Sequence, residues 1–316
     1  MAMTKSDTLN YRGELFLVGQ NQTPFTRAIA ANAKRSSSFI FSMGQTYALA
    51  SASQPAITED AAAAAGTADT YTRAEVTNTA QIFKRDVSVS FMKQSQSGQM
   101  SGINNQQDGV MDQYEFQKAT ILRQIAVDLE YSFLQGAYAA ATNTSTAAKT
   151  RGIITGTTSN AVAASSATLT KDMVDSMLQA QFAAGSTFTN SILFVNAFQK
   201  RKLSSLYGYA PMDRNIGGLN IQQIETDFGL FGIALDPFMP TDTVLCADVS
   251  YCAPVFVPVQ FNGDMSVQSG SMDGVDVAFY DIGTVAAARS GFWYSQIGLD
   301  YGPEKMHGKI TGLATA

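Results

Sequence analysis

The sequence predicts an α+β fold, with helices and strands largely segregated along the chain. Three observations carry this. A long amphipathic helical pattern occupies 108–135, and the apolar segments beyond residue 220 are short, strand-like and separated by Gly, Pro and Asp. No repeat of solenoid length recurs.

Up to about residue 40, the isolated apolar anchors Leu15, Phe16, Pro24, Phe25 and Ile29 stand among polar residues, which predicts an arm with one short helix. Residues 42–72 are rich in Ala, Ser and Thr, with an alanine run at 61–65 between Asp60 and Gly66. So few large apolar side chains cannot form a core, and the segment reads as an exposed excursion. Between 71 and 92 the pattern alternates: Phe83, Val87, Val89 and Phe91 share one face and Lys84 and Asp86 the other, the period of a strand. Excursion and strand together predict a long β-hairpin.

After the polar, turn-rich stretch 98–109 comes the helix at 108–135. Met111, Tyr114, Ile121, Leu122, Ile125, Leu129 and Phe133 form its apolar stripe, Asp108, Asp112 and Glu115 suit its positive end, and Gly136 stands where a cap is expected. At ~1.5 Å per residue it is about 40 Å long, enough for the spine of a flat subunit. Residues 143–166 read as irregular, with a short strand near Ile153 and Ile154. A second helix starts at the N-cap Thr170, carries Met173, Met177, Leu178 and Phe182, and stops at Gly185. A strand at 192–195 and a third helix at 196–206, closed by Gly208, follow. Strands are then expected at 221–226, 231–235, 243–247, 255–259, 275–280 and 292–297.

Composition narrows the function. Of 316 residues 45% are apolar and only 15% charged, against roughly 25% charged in ordinary soluble domains. A weakly charged surface favours contact between copies, because every charge buried at an interface must be desolvated. A net charge of −5 argues against a chain built to grip nucleic acid, and the short basic groups Lys34-Arg35, Lys84-Arg85 and Lys200-Arg201-Lys202 read as solvated faces. The polar first ten residues and the short apolar run at 15–18 predict no signal peptide, and no run approaches the ~18 apolar residues of a membrane span. The sequons at Asn21 and Asn143 therefore carry no weight.

Chemistry is sparse. The single histidine, His307, would have to serve any Ser-His-Asp or Cys-His arrangement, and no nucleophile elbow accompanies it; it reads as structural, with alanine there expected to leave assembly largely intact. Cys246 and Cys252 read as small buried hydrophobes, too few with one His for a closed zinc site. No phosphate-cradling glycine loop is present. Asp273-Gly274 reads as a turn before a strand and Asp172 lies in the first turn of a helix, so neither Asp273/Asp276 nor Asp172/Asp175 is assigned acid-base work. The expectation is no enzyme, no catalytic residue, no cofactor and no metal.

Several stretches resemble a family of tailed-bacteriophage major capsid (major head) proteins. Asn21-Gln22-Thr23-Pro24-Phe25 is similar to its early anchor, and 78–89, centred on Gln81-Ile82-Phe83-Lys84, to the strand leaving its extended loop. Arg123-Gln124-Ile125-Ala126-Val127-Asp128-Leu129-Glu130 resembles its spine helix. Glu225-Thr226-Asp227-Phe228-Gly229 resembles a strand-turn-strand, followed by Asp236-Pro237-Phe238-Met239-Pro240, Thr243-Val244-Leu245 and Asp248. Near the C-terminus 294–300 departs from the family's acidic and aromatic strand, whereas Pro303-Glu304-Lys305-Met306-His307-Gly308-Lys309-Ile310 agrees with its ending.

The resemblance implies a Hong Kong 97-type capsid fold: an N-terminal arm at 1–40, an extended loop at 41–92, a peripheral domain with the spine helix at 93–185, an axial domain at 186–259, and a return to the peripheral domain at 260–316. It implies self-assembly as hexamers and pentamers into the icosahedral head enclosing a phage genome, without sequence-specific DNA binding or membrane attachment. Scaffolding, portal and decoration proteins are the possible partners, and the virion, with the host cytoplasm during assembly, is the expected location. No Lys-Asn-Glu constellation matches, so cross-linking is not carried over. The alternatives are an encapsulin-type bacterial nanocompartment shell, a surface adhesin or S-layer-like protein, and an enzyme with an unfamiliar carboxylate site.

Overall fold

The computed structural model describes residues 19–66, 68–94, 113–207, 213–216, 219–258, 266–272 and 275–315. Two sheets organise it. The first runs β1 (Lys34–Arg35), β11 (Ala253–Phe256), β14 (Ala288–Asp300), β13 (Val275–Val285), β12 (Ser266–Met272), with β4 (Gln81–Ser90) also paired to β14. The second has seven strands in the order β5 (Ala161–Ala163), β15 (Gly308–Thr311), β10 (Val244–Asp248), β6 (Ser191–Val195), β9 (Gly229–Leu235), β8 (Leu219–Thr226), β7 (Asp213–Ile216). A separate two-stranded ribbon joins β2 (Ile40–Thr46) to β3 (Ala74–Thr79).

The spine helix α3 (Gln113–Gln135) is present, about 34 Å long at ~1.5 Å per residue. Its expected first turns, with Asp108, Met111 and Asp112, lie outside the described residues. Tyr114, Ile125, Leu129 and Phe133 are buried along its stripe, and the helix lies on β4 and β14. From β4, Phe83, Val87 and Val89 are buried beneath it while Phe91 is 44% exposed. The alternating face read from the sequence is thus core of the subunit itself. The segment 71–92 also divides into β3 and β4, because Ala80 is sealed between them and its N–H donates to the Phe39 carbonyl at 2.7 Å.

Strands β6 and β10 show why the seven-stranded sheet holds the molecule together. Every residue of both is buried. Ile192, Phe194, Leu245 and Ala247 face the core containing α3 and the arm helix α1 (Pro24–Ile29). Leu193, Val195, Val244 and Cys246 face a second core under α5 (Lys171–Ala183) and α6 (Ala197–Tyr207). A continuous apolar run such as residues 192–195 marks a strand covered on both faces.

Several expectations need correction. Ile153 and Ile154 begin a short helix, α4 (Ile153–Gly156), whose first carbonyl is doubly satisfied: the Thr157 N–H and hydroxyl both donate to the Ile153 carbonyl at 2.9 Å. Gly136 is needed for close approach rather than for a left-handed cap, since a Cβ there would sit 2.5 Å from the Thr150 carbonyl oxygen. The N-cap of α5 is as expected, with Thr170 Oγ1 accepting from the Met173 N–H at 3.3 Å. Its buried face is Val174, Met177, Leu178 and Gln181, however, while Phe182 is 63% exposed. The strand expected at 255–259 is β11, which ends at Phe256.

Candidate assembly surfaces

The exposed excursion is anchored at one end and unsupported at the other. In the β2–β3 ribbon, Ile40 pairs with Thr79 and Thr46 with Ala74, with a register shift between Ser42 and Gln45 at which Gly44 takes φ +111°. Asn78 fixes the base. Its Nδ2 donates to the Leu299 carbonyl at 2.7 Å and the Arg151 carbonyl at 3.1 Å, and its Oδ1 accepts the N–H of Arg151 at 2.8 Å and of Thr79 at 2.9 Å. One buried amide thereby ties the ribbon to β14 and to the chain entering α4. Gly298 lets the Phe41 ring lie on β14, where a Cβ would come within 2.7 Å of it.

Beyond that base the ribbon buries almost nothing of its own. Leu49 is 76% and Ile57 70% exposed, and Tyr47 and Tyr71 are exposed beside them. The short helix α2 (Glu59–Ala63), N-capped by Thr58, has no buried residue. Large apolar side chains on an element with no core are what a contact surface looks like before its partner arrives. A second apolar cluster lies near the β8–β9 turn, where Phe182 and Phe188 flank Phe228 with ring centroids 6.3 Å away, and Leu230 is exposed. Between β4 and α3 an open groove of about 340 Å³ is lined by Ile82, Lys84, Arg85, Ile125 and Asp128, with Arg85 paired to Asp128.

The residues weighed for chemistry have structural surroundings. His307 is fully buried; its Nδ1 accepts the Asp248 N–H at 3.2 Å, and its Nε2 lies 2.6 Å from the Tyr301 carbonyl, which can only accept, so the ring is neutral with the proton on Nε2. Burial holds its pKa below the usual histidine value, opposed by the Tyr301 carbonyl and Asp248. A depressed folded pKa contributes stability that is present above about 6.5 and lost as pH falls below it. Alanine at 307 nonetheless has a cost within the subunit: removing the ring leaves a cavity and two unpaired backbone groups. His307→Ala should lower stability by about 2–4 kcal/mol in urea unfolding, and a change under ~1 kcal/mol would contradict this account.

Cys246 and Cys252 are free and buried, and burial raises both thiols, Cys246 to about 12. Asp172 is exposed in the first turn of α5, whereas Asp175 lies half-buried near Tyr207, whose hydroxyl is pushed up to about 12, mainly by burial. Asp273 and the side chain of Asp276 lie outside the described residues. Lys34 pairs with Asp300 at 2.7 Å and Lys84 with Asp86 at 3.0 Å, so these basic groups also make local contacts. Among the described residues no three His, Cys, Asp or Glu side chains are placed to hold a metal ion, and no helix is long and apolar enough to cross a membrane.

The comparisons decide the family. The model of the SU10 major capsid protein family matches residues 2–314. The chain belongs to the SU10 major capsid protein family. Three solved structures share the architecture of this capsid protein. A chain of the cyanophage A-1(L) capsid asymmetric unit is 13% identical, with 99% of each chain covered and a TM-score of 0.65. A chain from Mycobacterium phage Patience is 9% identical, covering 93% of this chain and 84% of that one, at 0.57. A chain of the holo-SrpI encapsulin complex of Synechococcus elongatus PCC 7942 is 11% identical, covering 96% and 94%, at 0.56. No curated protein sequence matches. At these identities the structures establish the fold, which is the Hong Kong 97-type capsid fold, and the family establishes a capsid shell protein of a tailed phage.

Proposed function

We propose that copies of this chain tile the phage head as hexamers and pentamers, each extended ribbon lying over an adjacent subunit. The observation that carries this is a ribbon rigidly fixed at Asn78 and exposing Leu49 and Ile57 at its far end. In this reading residues 1–40 form an arm, 41–92 the overlapping loop, 93–185 with 260–316 the peripheral region around α3, and 186–259 the axial region near the capsomer axis. Many modest contacts repeated by symmetry add up to a shell far more stable than any pair. The role is structural and uses no catalytic residue, cofactor or metal. Low net charge lets the wall enclose the genome without binding it specifically, while scaffolding, portal and decoration proteins complete the particle, built in the host cytoplasm and retained in the virion.

The likeness to an encapsulin chain favours one second reading, a shell around an enzyme cargo. Neighbouring portal and large-terminase genes would exclude it. Expressed alone or with its scaffolding partner, the protein should sediment as closed shells, capsomers or tubes. A stable monomer at high concentration under all such conditions would refute the assembly reading.

A further inference from the structure

A buried acid holds the arm helix to the body, and a second buried acid lies beside it. Glu130 interrupts the apolar stripe of α3 one turn after Ala126 and is fully buried. Its Oε1 accepts the Phe25 N–H at 2.8 Å, and its Oε2 accepts the Thr26 N–H at 2.8 Å and the Thr26 hydroxyl. These are first-turn amides of α1, donors that no residue within the helix can satisfy. Facing Glu130 from the turn between β9 and β10 is Asp236, also buried. Its Oδ1 accepts the Phe238 N–H at 2.8 Å, and no donor among the described residues reaches its Oδ2.

Two carboxylates cannot both be ionised in such a place. Burial raises both, Glu130 well above the ordinary range, and the negative charge of Asp236 adds to the rise at Glu130. The influences on the pair are burial, each other, Thr26 and Phe238. Both Glu130 oxygens already receive donors and Asp236 Oδ2 receives none among the described residues, so one proton shared between the two carboxyls is what the site lacks.

We propose that Glu130 and Asp236 form a proton-held latch for the N-terminal arm: with one proton between them α1 is docked, and loss of that proton frees it. The sign follows from the raised affinity. The folded pair binds a proton that the unfolded chain gives up, so the proton's contribution to docking is whole below the ordinary carboxyl range and is lost as pH rises through the pair's folded value. What changes on losing the shared proton is that a second charge appears in a closed site. Opening is local, because α1 is six residues held by this contact and by Phe25 and Ile29 in the core.

The latch belongs to the single chain, and measured on unassembled full-length protein it stands or falls separately from shell formation. Amide exchange at Phe25 and Thr26 should show protection, corrected for intrinsic exchange, falling by up to about tenfold per pH unit from the ordinary carboxyl range up to the pair's raised docked value and levelling off above it. Asp236→Asn keeps a donor beside Glu130 without an ionisable proton and should make that protection independent of pH. Infrared spectroscopy of the unaltered protein, just below the pH at which the Phe25 and Thr26 amides lose protection, should show a protonated-carboxyl stretch that shifts in D2O and is missing from Asp236→Asn and Glu130→Gln. A loss of protection with rising pH that persists in Asp236→Asn overturns the proposal. If that variant does not fold, absence of the carboxyl band from the unaltered protein overturns it, and a band that disappears as the Phe25 and Thr26 amides lose protection supports it.

Discussion

Asn78→Ala should destabilise the subunit by on the order of 3–5 kcal/mol, the largest effect expected of any single polar substitution here. The side chain makes four hydrogen bonds to backbone groups of three separate segments, and it is fully buried. Truncation strands the carbonyls of Leu299 and Arg151 and the N–H groups of Arg151 and Thr79 away from water, and each stranded group carries a penalty of about 1–3 kcal/mol before relaxation. Local rearrangement and entering water recover part of this, so the sum is not additive. The comparison is Asn143→Ala, which removes bonds to Ser145 and Thr146 in an exposed turn and should change stability by less than about 1 kcal/mol. Denaturant unfolding of both variants measures the difference. Equal, small changes would mean that Asn78 is not what fixes the ribbon to the body.

The contrast between Asn78 and the helices shows what the sequence makes legible. The stripe from Tyr114 to Phe133, the capping threonine at 170 and the buried run at 191–195 are local patterns whose periods survive into the structure. The excursion was legible from what it lacks, namely large side chains able to bury one another. Short strands such as β1, β5 and β15 were not, because each is ordered by its partner: β15 lies between β5 and β10, and neither partner is near it in sequence. The polar anchors were hidden for the same reason. Asn78, His307 and Asp236 acquire their roles from groups far away along the chain, and nothing beside them announces burial. Glu130 is the exception, since a carboxylate at the i+4 position from Ala126 and beside Leu129 stands out on an apolar stripe. Phe182 misled in the opposite direction: it falls near the expected face of α5, yet packs beside Phe228 at the surface.

Leu49→Asp combined with Ile57→Asp should abolish shell formation and leave the subunit folded. Both side chains are among the most exposed apolar groups of the chain, and neither belongs to either core. Surface substitutions of this kind shift stability by within about 0.5 kcal/mol, so the unfolding midpoint of the free subunit should stay in place. Assembly is different. If each side chain is covered by a neighbour, each contributes about 1.5–3 kcal/mol through burial, or roughly 3–6 kcal/mol per subunit for the pair, and an aspartate there must also lose its water. Because every subunit repeats the loss, particle yield in sedimentation should fall by far more than the roughly tenfold that 1.4 kcal/mol would give. The same segment offers an independent reading through proteolysis. Residues 54–71 should be cut quickly in free subunits and slowly in particles, since ordering a stretch of small residues requires contacts that only a neighbour can supply. Wild-type yields from the double variant, with equal cutting rates in the two states, would show that the ribbon is not an assembly contact. Loss of particles with a lowered unfolding midpoint would instead place these residues in the fold of the subunit, against the exposure from which the argument starts.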